Sequence, residues 1–362
     1  MAKTLIVHVG PGKCGSTSIQ TELARRGSLF DGRSIELPKP MIRQFDTDES
    51  VPDAPPQLLE SASALLADGD VAVLSYEVLF QRRRALRNFV RFLRPLVDEV
   101  IVVGYSRRQS GFIQSAYSQW MFRSPARAAE VRGILQAAGL EHSHFTGLEA
   151  HFVAAMKTDM ASARQLAGNV ILDWHAGYQD IARLLAPFDA KISAGFIPRE
   201  GYEFSLLADF YRRCGHASAP LPATAETVVN TQYDADVIEA VHLAIRLGLP
   251  VPGPHEHNAF FERRVDIPAL SLRPVGDELL DILKDYADTR YWEANRLFCR
   301  EHGLSEEYFR PRRIVSLEDA EDAVAREAAR RRADPDLVSR RNAAIAARLA
   351  SIMFERYLKE NT

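Results

Sequence analysis

Residues 4–20 read Thr-Leu-Ile-Val-His-Val-Gly-Pro-Gly-Lys-Cys-Gly-Ser-Thr-Ser-Ile-Gln. An apolar, β-branched run at 4–9 (TLIVHV) meets a loop of small residues and passes into SIQTELARR, whose apolar spacing is helical. Strand, glycine loop and helix in this order predict a phosphate-binding turn. Small residues let backbone N–H groups converge on an anion, and the helix N-terminus adds its unpaired donors and the positive end of its dipole. Gly10 and Gly15 stand at the spacing of the nucleoside-triphosphate loop G-x-x-x-x-G-K-[ST], yet Ser16 occupies the lysine position and the lysine stands earlier, at Lys13. A lysine after the last glycine reaches β- and γ-phosphates. Moved into the loop, it suits a single 5′-phosphate bearing one transferable group, with its charge on the bridging oxygen as that group leaves.

Outward from this stretch, short apolar runs recur at 71–75 (VAVLS), 99–105 (EVIVVGY), 170–173 (VILD) and 191–197 (KISAGFI). Helical spacing fills 17–26, 84–97, 109–122, 145–166, 176–187 and 203–214. The alternation predicts an α/β fold, a central parallel β-sheet flanked by helices, with a helical insertion at 124–168 and a core domain over 1–216. After residue 216 the strand signal fades. A mainly helical part, 217–362, is expected to pack on the core, with helices near 234–248 and 277–302 and two more over 317–360, broken at Asp334-Pro335. The proline-rich segment 38–56 reads as a long surface loop.

The loop resembles the 5′-phosphosulfate loop of the sulfotransferases that use 3′-phosphoadenosine 5′-phosphosulfate (PAPS), whose pattern is Lys-x-Gly-[Ser/Thr]-[Ser/Thr]. Here it is Lys13-Cys14-Gly15-Ser16-Thr17, followed by Ser18, and HVGPGKCGSTSIQ (8–20) is similar to the opening phrase of bacterial members. A second segment, VVGYSRRQSGFIQSAYSQ at 102–119, carries an arginine at a strand end and a serine eight residues later, Arg107 and Ser115. In the family that pair holds the 3′-phosphate, and the arginine fork suits phosphate oxygens. Arg108 is the neighbouring alternative. The resemblance covers most of 4–120 and is weaker beyond. It implies a P-loop nucleotide-kinase-like sulfotransferase fold and transfer of a sulfuryl group to a hydroxyl or amine of an acceptor, carbohydrate or glycolipid, with PAPS as co-substrate. Gly12, Lys13, Cys14, Gly15, Ser16, Thr17 and Ser18 would bind the phosphosulfate. No metal is expected.

Such a transfer needs a base for the acceptor hydroxyl. Glu77, in VAVLSYEVLF, follows a predicted strand on the edge where the phosphate sites should open, and LSYE is similar to an LSxE phrase of bacterial members. His8 is the second candidate. The alternative roles for these residues are a helix-capping glutamate and an imidazole that orients backbone. Rival readings of the whole are a P-loop kinase acting on a small molecule and a non-catalytic nucleotide- or carbohydrate-binding homologue.

Composition sets the outer bounds. The 362 residues carry 45 Lys+Arg against 48 Asp+Glu, a net charge of −3, which argues against nucleic acid as a partner. Cys14, Cys214 and Cys299 lack metal or disulfide spacing and fit a reducing cytoplasm. No run of 18 apolar residues occurs, so no integral membrane segment is expected. His255-Glu256-His257 lacks a spaced third metal ligand, and the clusters Arg82-Arg83-Arg84 and Arg330-Arg331-Arg332 read as solvated helix faces with acidic neighbours.

Overall fold

The computed structural model describes residues 3–12, 14–25, 27–30, 33–37, 39–46, 56–67, 69–121, 124–158, 172–198, 204–216, 235–246 and 277–334, with scattered positions from 336 to 350. In chain order the first elements are β1 (Thr4–Val9), α1 (Ser16–Leu23), β2 (Ser34–Ile35), α2 (Lys39–Phe45), α3 (Pro56–Ala67), β3 (Val71–Ser75) and α4 (Arg83–Leu93). Then come β4 (Glu99–Ser106), α5 (Gln109–Ala116), α6 (Pro125–Ala137), α7 (Gly147–Lys157), α8 (Trp174–Leu185), β5 (Lys191–Phe196) and α9 (Leu206–Arg213). The last are α10 (Ala235–Arg246), α11 (Asp277–Arg290), α12 (Trp292–His302) and α13 (Leu317–Ala333).

Contacts divide the chain into two compact units: Met1–Arg108 with Val170–Asn230 and Tyr291–Arg310, and Gln109–Asn169 with Thr231–Arg290 and Pro311–Thr362. The first unit holds a five-stranded, all-parallel sheet in the order β2-β3-β1-β4-β5, flanked by helices, the α/β architecture expected from the alternating runs. β1, β3 and β4 are buried along nearly their whole length, as strands covered on both faces must be.

Strand alternation tells which helices cover which face. His8 is the register partner of Val103, and its ring lies 5.6 Å from Phe210 of α9. Gly104 points the other way, where an added Cβ would come within 2.5 Å of the Tyr178 hydroxyl of α8. α1 joins α9 on the first face, with Tyr211 donating to Glu22 at 3.2 Å. α4 joins α8 on the second through the Arg83–Asp180 ion pair. This is the arrangement that right-handed crossovers give when β1 leads to one edge and β3 and β4 lead towards the other.

The second unit is helical among its described residues. α5 continues into a π-helical turn, Tyr117–Met121. Arg331 of α13 makes a buried fork with Glu149 of α7, at 2.8 and 2.9 Å, and Glu327 holds the same guanidinium. Asp288 of α11 accepts from the Ser110 backbone N–H at 2.9 Å and from its hydroxyl at 2.8 Å, which closes the N-terminus of α5.

Three local expectations change. The segment 38–56 is not all loop: residues 39–45 form α2, because Pro40 falls in the first turn, where its missing N–H costs nothing, and Ile42 and Phe45 reach the core. Phe45 packs edge-on against Phe89 at 6.0 Å, and its carbonyl accepts from Asn88 at 2.7 Å. The stretch 277–302 is two helices broken at Tyr291. Of the strand expected at 170–173 only Leu172 and Asp173 are described; they are not extended in a sheet, and Asp173 instead caps α8 by accepting from the Ala176 N–H at 2.9 Å.

Candidate functional site

The sheet is parallel, so the loops after β1, β3 and β4 all leave its carboxyl edge. His8 is opposite Ser75, and the pairing runs one residue further where the Tyr76 N–H donates to the His8 carbonyl at 3.0 Å. On the other side Val9 is opposite Gly104. The loop after β1 is therefore flanked by the turn that begins with Tyr76 and Glu77 on one side and by Arg107 on the other. Each flanking strand lies about 4.8 Å from β1.

Two glycines let the loop take its path. An added Cβ at Gly10 would sit 3.3 Å from the Tyr105 backbone nitrogen, tight against the neighbouring strand. Gly15 adopts φ +82°, and a Cβ there would come within 2.4 Å of Leu206 and 3.1 Å of Ile197. Gly15 is also the N-cap of α1. No side chain caps that helix, and its first turn holds no acidic residue. α7, α8 and α13, by contrast, are capped by Thr146, Asp173 and Ser316. The first N–H groups of a helix have no intrahelical partner, and the partial positive charge at such an end is one that an anion can use. Gly12, Cys14 and Ser16 are buried, while Thr17 and Ser18 are partly exposed. Lys13 lies outside the described residues.

Glu77 opens a 3-10 turn, Glu77–Phe80, directly after β3 and is partly exposed. His8 is in a different setting. Its imidazole is buried with its Nδ1 2.7 Å from the Ser75 hydroxyl, edge-on to Tyr105 and Phe210. Burial pushes its pKa down to about 4, so the ring is neutral at physiological pH. Beneath it, Tyr105 donates to Asp209 at 2.9 Å. His8 thus belongs to an ordered core layer behind the strand ends, whereas Glu77 stands at the edge itself.

The structure separates the two arginines. Arg108 is buried and donates to the Arg310 carbonyl at 2.8 Å, a bond that ties the strand end to the segment after α12. Arg107 is partly exposed, and its own carbonyl accepts from the Trp174 indole N–H at 2.8 Å. Ser115 lies on α5, in the second unit, and is partly exposed.

Other candidates resolve more simply. Arg82 pairs with Asp46 and Arg83 with Asp180, and Arg330 and Arg331 both pair with Glu327, so the acidic neighbours are as expected, but Arg331 does not lie on a solvated face: it is buried and forks onto Glu149. His255, Glu256 and His257 lie outside the described residues. Among the described residues, no group of three or more His, Cys, Asp or Glu side chains could hold a metal ion, and no helix is long and apolar enough to cross a membrane. The sequence reading passed over Trp174 and Ser75. Asp173 standing just before Trp174 was a helix-start signal that would have placed the indole on the first turn of α8.

Comparisons of the chain with protein-family models, with curated proteins and with solved structures return no match.

Proposed function

We propose that this protein is a PAPS-dependent sulfotransferase of P-loop type, moving a sulfuryl group to a hydroxyl or amine of a carbohydrate or glycolipid acceptor. The observation that carries the reading is the common edge of the sheet. A glycine loop leading into a helix N-terminus, a glutamate and an arginine follow three adjacent parallel strands, β1, β3 and β4. That edge, where the chain turns from one side of the sheet to the other, is where open α/β sheets take their ligands.

In this reading the backbone from Gly12 to Ser18, with Lys13, Ser16 and Thr17, holds the 5′-phosphosulfate. Arg107 holds the 3′-phosphate. Glu77 accepts the acceptor's proton as its oxygen attacks sulfur in line, and the S–O bond to the 5′-phosphate breaks, leaving 3′,5′-adenosine diphosphate. Lys13 supports the charge left on that phosphate. A cytoplasmic setting goes with the reading, the three cysteines being buried and none of them in a disulfide.

Calorimetric titration with 3′,5′-adenosine diphosphate, 5′-AMP and Mg·ATP tests it. The diphosphate should bind at least tenfold tighter than AMP, and Arg107→Ala should remove that preference. Equal affinity for the two would count against the reading, and preferred binding of ATP that depends on magnesium would favour the kinase instead.

A further inference from the structure

Trp174 begins α8 immediately after the Asp173 cap and is fully buried. Its indole N–H donates to the Arg107 carbonyl at 2.8 Å. Its ring also packs edge-on against Phe80, with centroids 6.5 Å apart and planes at 61°. Phe80 is the last residue of the 3-10 turn that Glu77 opens. One side chain therefore touches both turns that flank the phosphate loop, the one after β3 and the one after β4.

The next turn of α8 completes the seat. Tyr178 lies 5.2 Å from Phe80, and a Cβ added at Gly177 would come within 3.1 Å of the same ring. Asp180 pairs with Arg83 just beyond the turn. The β3 turn is thus held by contacts from several residues of α8. The Arg107 carbonyl, by comparison, is fixed to α8 by the indole N–H. Rotating the peptide that follows Arg107 would break that bond and leave a buried N–H without an acceptor. The bond anchors the backbone at Arg107, from which its side chain leaves the strand end, and a bidentate guanidinium tolerates little displacement of that anchor.

We infer that Trp174 is a positioning residue: its N–H aims Arg107 at the 3′-phosphate of the donor, while its ring supports the turn that carries Glu77. The inference rests on the sulfuryl-donor reading. It separates two functions of one side chain, because replacing the indole by a ring of similar bulk removes the N–H and leaves most of the packing.

The test compares the full chain with its Trp174→Phe variant by titrating 3′,5′-adenosine diphosphate and 5′-AMP. The expected result is that the variant binds AMP within twofold of the parent and binds the diphosphate about tenfold more weakly, so that the preference for the 3′-phosphate disappears. A purely structural role would weaken both ligands together and would overturn the inference. So would a variant that keeps the full preference. Should Trp174→Phe fail to fold, benzothienylalanine at position 174 keeps the shape of the indole with sulfur in place of the N–H, and the same two titrations apply. A parent protein indifferent to the 3′-phosphate would overturn the donor reading and this inference with it, whereas a preference that survives both replacements overturns this inference alone.

Discussion

The Nδ1 of His8 and the hydroxyl of Ser75 are 2.7 Å apart across paired positions of β1 and β3, one residue before the chain turns out to Tyr76 and Glu77. A histidine engaged in this way, with its pKa pushed down to about 4, is a weak base behind the edge, and a glutamate stands at the edge. If the proposed sulfuryl transfer is this protein's reaction, Glu77→Gln should lower its rate by about 10²- to 10⁴-fold, the usual contribution of a general base. His8→Asn should act on the fold, costing about 1–3 kcal/mol as the Ser75 and aromatic contacts are lost, with turnover per folded molecule changed far less. Denaturant melts alongside initial rates decide the matter: a collapse of kcat in a fully folded His8→Asn protein would return the base role to the histidine.

Gly15→Ala is the sharpest test of the loop. Alanine must adopt φ +82°, which costs roughly 1–2 kcal/mol for an L-residue, and its methyl meets Leu206 and Ile197 at distances that require one of them to shift. The expected outcome is a destabilised protein, by about 2–4 kcal/mol, whose affinity for 3′,5′-adenosine diphosphate falls at least tenfold because the N–H groups after residue 15 no longer converge. Gly139, also at positive φ but with nothing within 4 Å of an added Cβ, is the control, and Gly139→Ala should cost only the backbone term. Equal effects on nucleotide binding at both glycines would remove the loop from the site.

How much of this was legible beforehand follows from what kind of signal each feature leaves in the sequence. Strands buried on both faces leave continuous apolar runs, and Thr4–Val9, Val71–Ser75 and Glu99–Ser106 were visible as such, as was the edge strand Lys191–Phe196, buried only in its second half. β2 has only two residues, Ser34 and Ile35, and leaves no run to detect. α2 was hidden by its proline, whose meaning depends on whether it falls in the first turn or later. The loop's glycines announced a turn. Nothing local showed that Arg108 would turn inward to the Arg310 carbonyl while Arg107 stayed at the edge, because the deciding partner is 202 residues away.

That difference between neighbours yields a paired prediction. Arg108→Ala removes the donor to Arg310 and the packing of a buried side chain, and should lower stability by about 1–3 kcal/mol while the ratio of 3′,5′-adenosine diphosphate to AMP affinity is kept. Arg107→Ala should instead reduce that ratio to about one. Thermal melts and titrations on both variants give a two-by-two outcome. If Arg108→Ala is the one that loses the ratio, the 3′-phosphate assignment belongs to the wrong arginine.

Acid should expose the cost of the buried imidazoles. His8, and His151 in the second unit, both have pKa values lowered to about 4, chiefly by burial, with Arg127 adding to the effect at His151. Their unfolded values lie near 6.5, so between about pH 6.5 and pH 4 the unfolded chain binds more protons than the folded one. The sign follows: the contribution of these groups is complete above pH 6.5 and is lost as pH falls, at up to about 1.4 kcal/mol per pH unit for each histidine, levelling off below pH 4. Urea unfolding at intervals from pH 7.5 to 4.5 should show stability falling with that slope. His151→Gln, or His8→Asn where it folds, should flatten the curve by the share of one group, even though each variant starts from a lower stability at pH 7.5. A curve whose slope is unchanged by both replacements would mean that the two rings are already protonated, or already exposed, in the folded protein.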